Sequence, residues 1–72
     1  MPLATIKMIE GVFYGDEKQR MIEKVTEAMV TVEGENLRDY TLVILEEVKS
    51  GDWGVGGKTL TADAVKQLRA SH

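Results

Sequence analysis

The sequence predicts a small α+β domain that contains one β-α-β unit with parallel strands, followed by a C-terminal hairpin and a short helix. Residues 3–10 alternate in polarity and residues 40–48 have an apolar centre, and both patterns are typical of strands. Between them, residues 16–32 place apolar side chains at helical spacing. Two strands joined through one helix are expected to lie parallel, with a right-handed crossover. The chain of 72 residues is expected to form a single domain, 1–72.

The first strand follows directly on Pro2, the only proline of the sequence, which stands next to Met1. Proline is tolerated at the first residue of a strand, because no ladder hydrogen bond needs its missing N–H. Removal of Met1 would convert Pro2 into a terminal secondary amine, and the strand would hold that amine in a fixed place. Pro2 is therefore either a strand starter alone or a positioned amine with a chemical role.

A short connection with a glycine at each end follows this strand and carries the aromatic pair Phe13 and Tyr14. These side chains either pack against a helix end or a neighbouring subunit, or they line a pocket. A pocket is consistent with the position of the loop, because open α/β sheets bind ligands at the carboxyl ends of their strands.

The helix is predicted to begin after Asp16, an N-cap residue with Gln19 in the position of a capping box. Gly34 is a suitable residue for its C-terminal stop. The charged residues of the helix are interpreted as a solvated face. One apolar stripe is expected to face the sheet, and it comprises Met21, Ile22, Val25, Ala28, Met29 and Val32.

A polar turn over residues 35–39 leads into the second strand, which is predicted over residues 40–48 and is expected to be buried on both faces. One helix covers only one face of a two-stranded sheet. The other apolar face has no cover within this chain, so another copy of the chain is expected to supply it. That face includes Leu3, Ile9 and two of the four residues 42–45.

Glycine is concentrated in residues 49–60, which also contain the only tryptophan, Trp53. This segment is predicted to form a tight turn or a small hairpin. The GKT sequence at 57–59 is not a phosphate loop, because Asp52 stands where that motif requires glycine. Trp53 is expected to anchor the segment against a neighbour, and one ring can also serve a binding site. Thr61 is expected to cap a short final helix with Ala64, Val65 and Leu68 on its apolar edge.

Composition argues against several classes of partner and cofactor. The sequence has no cysteine, and its single histidine is the last residue, His72, so neither a disulfide nor a metal or other cofactor is expected. A net charge of −3 with scattered Lys and Arg argues against nucleic acid binding. No signal peptide and no apolar run of membrane-spanning length is recognised, which predicts a cytoplasmic protein with no membrane contact. Homo-oligomerisation is expected to add stability, because a core of this size barely outweighs the chain entropy.

Three segments, in this order, resemble the tautomerase superfamily and in particular its short-form 4-oxalocrotonate tautomerase family. They are Met1-Pro2 with a strand that ends in Ile9-Glu10-Gly11, the helix start DEKQ at 16–19, and GDWGVGG at 51–57. The resemblance implies a β-α-β protomer whose dimer forms a four-stranded sheet backed by two antiparallel helices. It implies a homohexamer, built as a trimer of dimers, and an isomerase that acts on a small unsaturated keto acid.

The resemblance also makes Pro2 the catalytic base, which moves a proton from one carbon to another and so interconverts an enol and a conjugated keto acid. A terminal amine titrates at about pH 8 in water, and an apolar pocket or a nearby cation lowers its pKa. Efficient proton transfer requires a pKa near the working pH. Trp53 stands where the family has an aromatic residue in the pocket wall and is expected to form part of that wall.

The sequence departs from the family at its two substrate-binding arginines. Val12 stands in place of the first, and Thr41 or Leu42 in place of the second. Without these arginines, the protein is expected to bind a dicarboxylate less tightly and to polarise its carbonyl oxygen less. Each hydrogen-bond donor to such an oxygen often stabilises the transition state by about 3 kcal/mol. The expected substitutes in substrate binding are the cations Arg38, Lys49 and Lys58 and the hydroxyl donors Tyr14 and Tyr40.

Two other functions are consistent with the same residues. The first is a hydratase or dehalogenase type of lyase, in which Pro2 acts as an acid and a carboxylate activates water. Glu46, Glu47 and Asp52 are the carboxylates considered for that role. The second is an oligomeric binding protein without catalytic activity, which the loss of both arginines would explain.

Overall fold

A computed structural model describes residues 1–71, and its elements follow the predicted order. His72, the only histidine, lies outside the described residues. The β-α-β unit, the hairpin and the final helix of the prediction are all present. The elements are strand β1 (Leu3–Ile9), helix α1 (Glu17–Glu33), a 3-10 helix (Glu35–Tyr40), strand β2 (Leu42–Val48), hairpin strands β3 (Trp53–Val55) and β4 (Lys58–Leu60), and helix α2 (Ala62–Ala70).

Strands β1 and β2 form a two-stranded parallel sheet, as predicted for strands joined through a helix. Leu3 pairs with Leu42 at one end of the sheet, and Ile9 pairs with Val48 at the other. A further backbone hydrogen bond extends the pairing at each end. The Leu42 N–H donates to the Pro2 carbonyl at 3.1 Å, and the Glu10 N–H donates to the Val48 carbonyl at 2.8 Å.

The segment before β2 is a 3-10 helix through Tyr40, where the sequence analysis expected a polar turn and an earlier strand start. Helical hydrogen bonding continues to Thr41, whose N–H donates to the Arg38 carbonyl at 3.2 Å. Tyr40 therefore belongs to the 3-10 helix and Thr41 is its C-cap, so strand β2 begins at Leu42.

The start of α1 has the predicted position but not the predicted cap. Asp16 occupies the N-cap without a side-chain hydrogen bond to the helix, because its φ of −88° and ψ of 1° are not the extended conformation that presents a capping oxygen. Its carboxylate lies 3.3 Å from Arg20 instead. Gln19 donates forward to Glu23 at 3.0 Å and does not complete a capping box. Gly34 ends the helix, as predicted, with a φ of 104° that favours glycine.

The apolar side of α1 is rotated relative to the predicted stripe. Val30, which the prediction omitted, is 6% exposed, whereas Val32 is 90% exposed. Each residue turns the helix by about 100°, so Val32 lies about 200° around the axis from Val30. Met21, Ile22, Val25 and Met29 are half-buried and Ala28 is exposed. The flank of α1 that carries Ala28 and Val32 is thus apolar but uncovered within one chain.

The sheet is covered on one face only. Val43 and Leu45 of β2 are half-buried on the side of α1, but Leu42 and Ile44 are 46% and 44% exposed on the other side. This agrees with the expectation that the second apolar face has no cover within one chain, since burial of β2 on both faces was expected only with another copy. Leu3, which shares the open face, is 56% exposed.

Ile9 is a correction to the predicted open face, because it is only 7% exposed. The hairpin supplies its cover: Ile9, Trp53 and Leu60 line the same pocket. The indole N–H of Trp53 donates to the Val48 carbonyl at 3.4 Å and fixes the hairpin at this end of the sheet. Trp53 thus anchors the hairpin, as its size suggested.

The hairpin and α2 follow the local rules read from the sequence. Gly56 and Gly57 form the two-residue turn between β3 and β4, with φ values of 58° and 82°, which is typical of a type I′ hairpin turn. The Thr61 hydroxyl oxygen accepts the Ala64 N–H at 3.2 Å and caps α2. Across residues 1–71, the model contains no helix with the length and apolar character needed to cross a membrane.

Candidate active site

Pro2 lies directly before β1 and shares a cavity with residues from the C-terminal half of α1. It is half-buried and lines a cavity of about 450 Å³. Strand β1 positions the residue through its backbone, because the Pro2 carbonyl is paired with Leu42. The lining of the cavity is apolar except for one carboxylate. Its residues are Pro2, Val25, Ala28, Met29, Val32 and Glu33.

The chemistry available to Pro2 depends on Met1. With Met1 attached, the Pro2 nitrogen is a tertiary amide with neither a basic lone pair nor an N–H. Met1 itself is 81% exposed. Removal of Met1 would leave a secondary amine in the cavity.

Glu33 is the polar group of this cavity and is not among the site residues predicted from the sequence. Its Oε1 atom is buried and has no hydrogen-bond partner among residues 1–71. Its Oε2 atom contacts the hydroxyl of Thr41. That hydroxyl also lies 2.9 Å from the Leu37 carbonyl, so it has one proton for two acceptors. One feature of the sequence does point to Glu33: it follows Met29 by four residues, and this spacing places both side chains on the same side of α1.

Trp53 lies at the opposite end of the sheet from Pro2. Pro2 is hydrogen-bonded to Leu42, the first residue of β2, and Trp53 to Val48, the last. At a rise of about 3.3 Å per residue, the strand separates the two by roughly 20 Å. A single chain therefore does not bring Pro2 and Trp53 together. Trp53 instead lines a second cavity of about 320 Å³ with Phe13, Met21 and Leu60.

Tyr14 lies at the Trp53 end of the sheet and is 62% exposed. Its hydroxyl donates to the Gly11 carbonyl at 2.7 Å, and the Lys66 Nζ atom lies 5.7 Å from its ring centroid. The hydroxyl is therefore used within its own loop. Phe13, its neighbour, packs beneath the guanidinium of Arg69, which lies 4.9 Å from the ring centroid.

Arg38 belongs to the 3-10 helix that leads into β2, at the same end of the sheet as Pro2. Its guanidinium binds Glu27 through two nitrogens, at 2.6 and 3.1 Å, and Glu35 at 2.7 and 3.2 Å. The hydrogen bonds to Glu27 and then Glu35 raise the pKa of Arg38, and those bonds lower the pKa of each carboxyl. Arg38 is thus neutralised by two acids within its own chain, and a substrate carboxylate would have to compete with them.

The positions that replace the family's arginines carry no charge in the structure. Val12 is 3% exposed and belongs to the core. Thr41 contacts Glu33, and Leu42 lies on the open face of the sheet. A cation does approach Val12 from another element: the Arg69 Nη1 atom of α2 lies 3.4 Å from the Val12 carbonyl. The other candidates for substrate binding, Lys49, Lys58 and Tyr40, are exposed.

The carboxylates considered for water activation do not line the Pro2 cavity. Glu46 lies 3.9 Å from Lys7, and Glu47 pairs with Lys18. Asp52 is exposed in the turn before β3. Within residues 1–71, Glu33 is the acid that lines the same cavity as Pro2.

Comparison with known proteins identifies the family. A family model described as "Tautomerase enzyme" matches residues 2–63. The 2-hydroxymuconate tautomerase of Bacillus subtilis is 36% identical over 61 residues, which cover 85% of this chain and 95% of that protein.

Solved structures agree with this match. A 4-oxalocrotonate tautomerase isozyme from Methylibium petroleiphilum superposes with a TM-score of 0.72 at 36% identity and covers 89% of this chain and 97% of its own. TomN, a 4-oxalocrotonate tautomerase homologue of the tomaymycin biosynthetic pathway, gives 0.73 at 30% identity and covers 97% of each chain. The resemblance read from the sequence motifs is thereby confirmed, and the chain belongs to the tautomerase family.

Proposed function

We propose that this protein is an isomerase that uses the Pro2 amine as a general base for keto–enol or double-bond isomerisation of a small unsaturated keto acid. The observation that carries the proposal is the position of Pro2. It begins the family match, stands directly before β1 and lines a largely apolar cavity of about 450 Å³. A base in such a cavity is held in place and partly shielded from water.

In the proposed reaction, the Pro2 amine removes a proton from the enol oxygen in ketonisation, or from a carbon in double-bond isomerisation, and delivers a proton to a different carbon of the substrate. The amine becomes an ammonium in the first step and is restored in the second, so no external base is consumed. The half-buried apolar side chains of Val25 and Met29 are expected to disfavour the charged form and to lower the pKa of the amine from its usual value of about 8. Such general-base catalysis typically contributes a factor of about 10² to 10⁴.

The proposed substrate differs from a dicarboxylate. Val12 is a core residue, and Arg38 is already bound by Glu27 and Glu35, so neither offers a free cation in the single chain. A keto acid with one carboxylate needs fewer such contacts. We therefore expect this protein to prefer phenylenolpyruvate over 2-hydroxymuconate, measured as the ratio of their kcat/KM values, more strongly than a family member that carries both arginines.

The proposal includes assembly with other copies of the chain. Leu3, Leu42 and Ile44 form an open apolar face, and burial of such a face is a common source of association free energy. Assembly also offers a way to place the Trp53 of one copy near the Pro2 of another, which one chain cannot do. A dimer with a four-stranded sheet and a hexamer formed from three such dimers would satisfy both requirements.

Ketonisation of phenylenolpyruvate and of 2-hydroxymuconate, followed by absorbance, tests the proposed activity. The wild-type chain and Pro2→Ala are compared after intact-mass analysis has shown that Met1 is absent from both. Pro2→Ala is expected to reduce kcat/KM by about 10² or more. Equal rates for the two proteins would remove Pro2 from the mechanism.

The lyase remains a second candidate, because one observation favours it. A hydratase needs a carboxylate to activate water next to a protonated Pro2, and Glu33 lines the Pro2 cavity. Release of halide from 3-haloacrylates would support this candidate, and its absence under conditions where ketonisation proceeds would exclude it. Full retention of Met1 in the native host would instead support the binding protein without catalytic activity.

A further inference from the structure

The Glu33 carboxylate lacks a donor that its surroundings require. Its Oε1 atom is buried without a partner among the described residues, and its Oε2 atom shares the Thr41 hydroxyl proton with Leu37. A buried carboxylate oxygen without a hydrogen bond costs free energy, and native proteins rarely retain one. The missing donor is expected to lie within the same cavity.

Pro2 is the residue of that cavity that gains a donor by processing. While Met1 is attached, the Pro2 nitrogen carries no hydrogen. Once Met1 is removed, the neutral amine carries one N–H and the ammonium carries two. The other lining side chains, those of Val25, Ala28, Met29 and Val32, are apolar and provide none.

No other charged group among residues 1–71 lines the cavity. The ionisable groups of the adjoining elements are directed elsewhere or paired. Glu27 and Glu35 both bind Arg38, Lys7 pairs with Glu46, Lys18 pairs with Glu47, and Asp39 and Tyr40 are exposed on the 3-10 helix. Glu33 is therefore the group whose charge acts most directly on a Pro2 amine.

We propose that Glu33 is the positioning residue of the base, with its Oε1 atom accepting a hydrogen bond from the Pro2 amine after Met1 is removed. The assignment rests on the function proposed above for Pro2. It adds an anionic partner at a site that otherwise presents only apolar side chains to the amine.

The hydrogen bond fixes the direction of the reactive lone pair. A neutral secondary amine has one N–H and one lone pair, so an N–H bound to Glu33 leaves the lone pair free to face the substrate. When the lone pair takes a proton from the substrate, from the enol oxygen in ketonisation or from a carbon in double-bond isomerisation, the ammonium has two N–H bonds. One stays hydrogen-bonded to Glu33, and the other delivers its proton to the accepting carbon.

Glu33 also opposes the effect of the apolar lining. An anion near the amine favours the ammonium form, whereas the apolar side chains disfavour it. The wild-type amine is therefore expected to titrate at a higher pH than it would in the same cavity without the Glu33 charge.

Direct titration of Pro2 tests this inference, and the sequence makes the measurement clean because Pro2 is the only proline. Protein labelled with [15N]proline gives one resonance, whose shift with pH reports the pKa of the amine. Glu33→Gln keeps the shape of the side chain and removes its charge, and it is expected to lower that pKa by about one unit or more. The acidic limb of the kcat/KM profile is expected to move with it.

Two matched variants show whether the effect belongs to Glu33. Glu33→Asp keeps the charge and is expected to titrate close to wild type. Glu23→Gln removes an exposed carboxylate of the same helix, one that binds Gln19, and is expected to leave the titration unchanged. An unchanged pKa in Glu33→Gln, or an equal fall in Glu23→Gln, would overturn the inference.

A second measurement uses the wild-type chain and does not depend on a variant that folds. The carboxyl carbon resonance of Glu33 is expected to shift through the pH range in which the Pro2 nitrogen titrates, and to show no such response while Met1 is retained. Independence of the two resonances in the processed protein would overturn the inference. Both measurements are made without substrate, so they remain informative even if Pro2→Ala retains full activity and the proposed function fails.

Discussion

Pro2 and Trp53 lie at opposite ends of the same parallel sheet. The Pro2 carbonyl accepts the Leu42 N–H at 3.1 Å, and the Trp53 indole donates to the Val48 carbonyl at 3.4 Å, so the length of β2 separates them. An active site that uses both residues must combine different copies of the chain.

Mixed assemblies of Pro2→Ala and Trp53→Ala are expected to recover activity that neither variant has alone. If each site takes Pro2 from one copy and Trp53 from another, random mixing restores both native residues at about a quarter of the sites. The variants are unfolded together, refolded and assayed for ketonisation. A control mixture pairs Pro2→Ala with the double variant, which cannot restore a site. Recovery no greater than in that control would show that Trp53 does not complete the Pro2 site of another copy.

Substitution of Ile44 by Glu is expected to dissociate the assembly. Ile44 is 44% exposed on the open face of the sheet, opposite Thr5, and a charge there would have to be buried on association. Light scattering at several protein concentrations measures the effect, and ketonisation is expected to fall in parallel. Glu46→Gln, farther along the same face, is the control. An assembly that withstands Ile44→Glu unchanged would place the subunit interface elsewhere.

The pairing of Glu17 with Arg69 is expected to make the attachment of α2 sensitive to acid. The hydrogen bond from Arg69, at 2.6 Å, and that from the Tyr14 N–H lower the pKa of Glu17 from 4.5 to about 2. Between these values the unfolded chain binds a proton that the folded chain does not. The stabilisation is therefore complete above about pH 4.5 and is lost as the pH falls towards 2.

Titration of the Glu17 carboxyl carbon by NMR measures this directly. In Arg69→Gln the pKa is expected to rise towards 4.5, and the unfolding midpoint of Glu17→Gln is expected to change less between pH 6 and pH 3 than that of wild type. A Glu17 pKa that is the same in wild type and Arg69→Gln would contradict the contact between the two helices.

Substitution of Gly57 by Ala is expected to destabilise the hairpin. Gly57 has a φ of 82°, and a left-handed conformation costs a residue with a Cβ about 1–2 kcal/mol. Gly54→Ala is the matched control, because Gly54 lies in β3 without a positive φ and has open space at its Cβ position. Denaturant unfolding at one protomer concentration compares them. Equal losses in the two variants would show that the turn conformation is not the cause.

Local patterns in the sequence predicted the elements well, because each depends on neighbouring residues. The alternation before Glu10, the stop at Gly34 and the cap at Thr61 are all present in the structure. The capping box failed because its hydrogen bonds depend on backbone angles at Asp16 that residue types do not determine. The prediction that Val32 belongs to the buried apolar stripe was wrong, because the rotation of α1 about its axis is set by its packing against the sheet.

The candidate site was predictable only in part. Pro2 was identifiable from its place behind Met1, whereas its distance from Trp53 depends on where the hairpin attaches to the sheet. No sequence motif marks Glu33, because a carboxylate at the end of an amphipathic helix usually lies in solvent. Its role emerges only when β1 places Pro2 and α1 places Glu33 in one cavity.

The most direct test compares two forms of the same chain that differ only in Met1. Protein produced with a methionine aminopeptidase inhibitor retains Met1, protein produced without it is processed, and intact mass verifies each preparation. We predict that the processed form catalyses ketonisation of phenylenolpyruvate and that the form with Met1 is slower by about 10² or more, because its Pro2 nitrogen is an amide. Equal turnover by the two forms would contradict the account of Pro2 as the base.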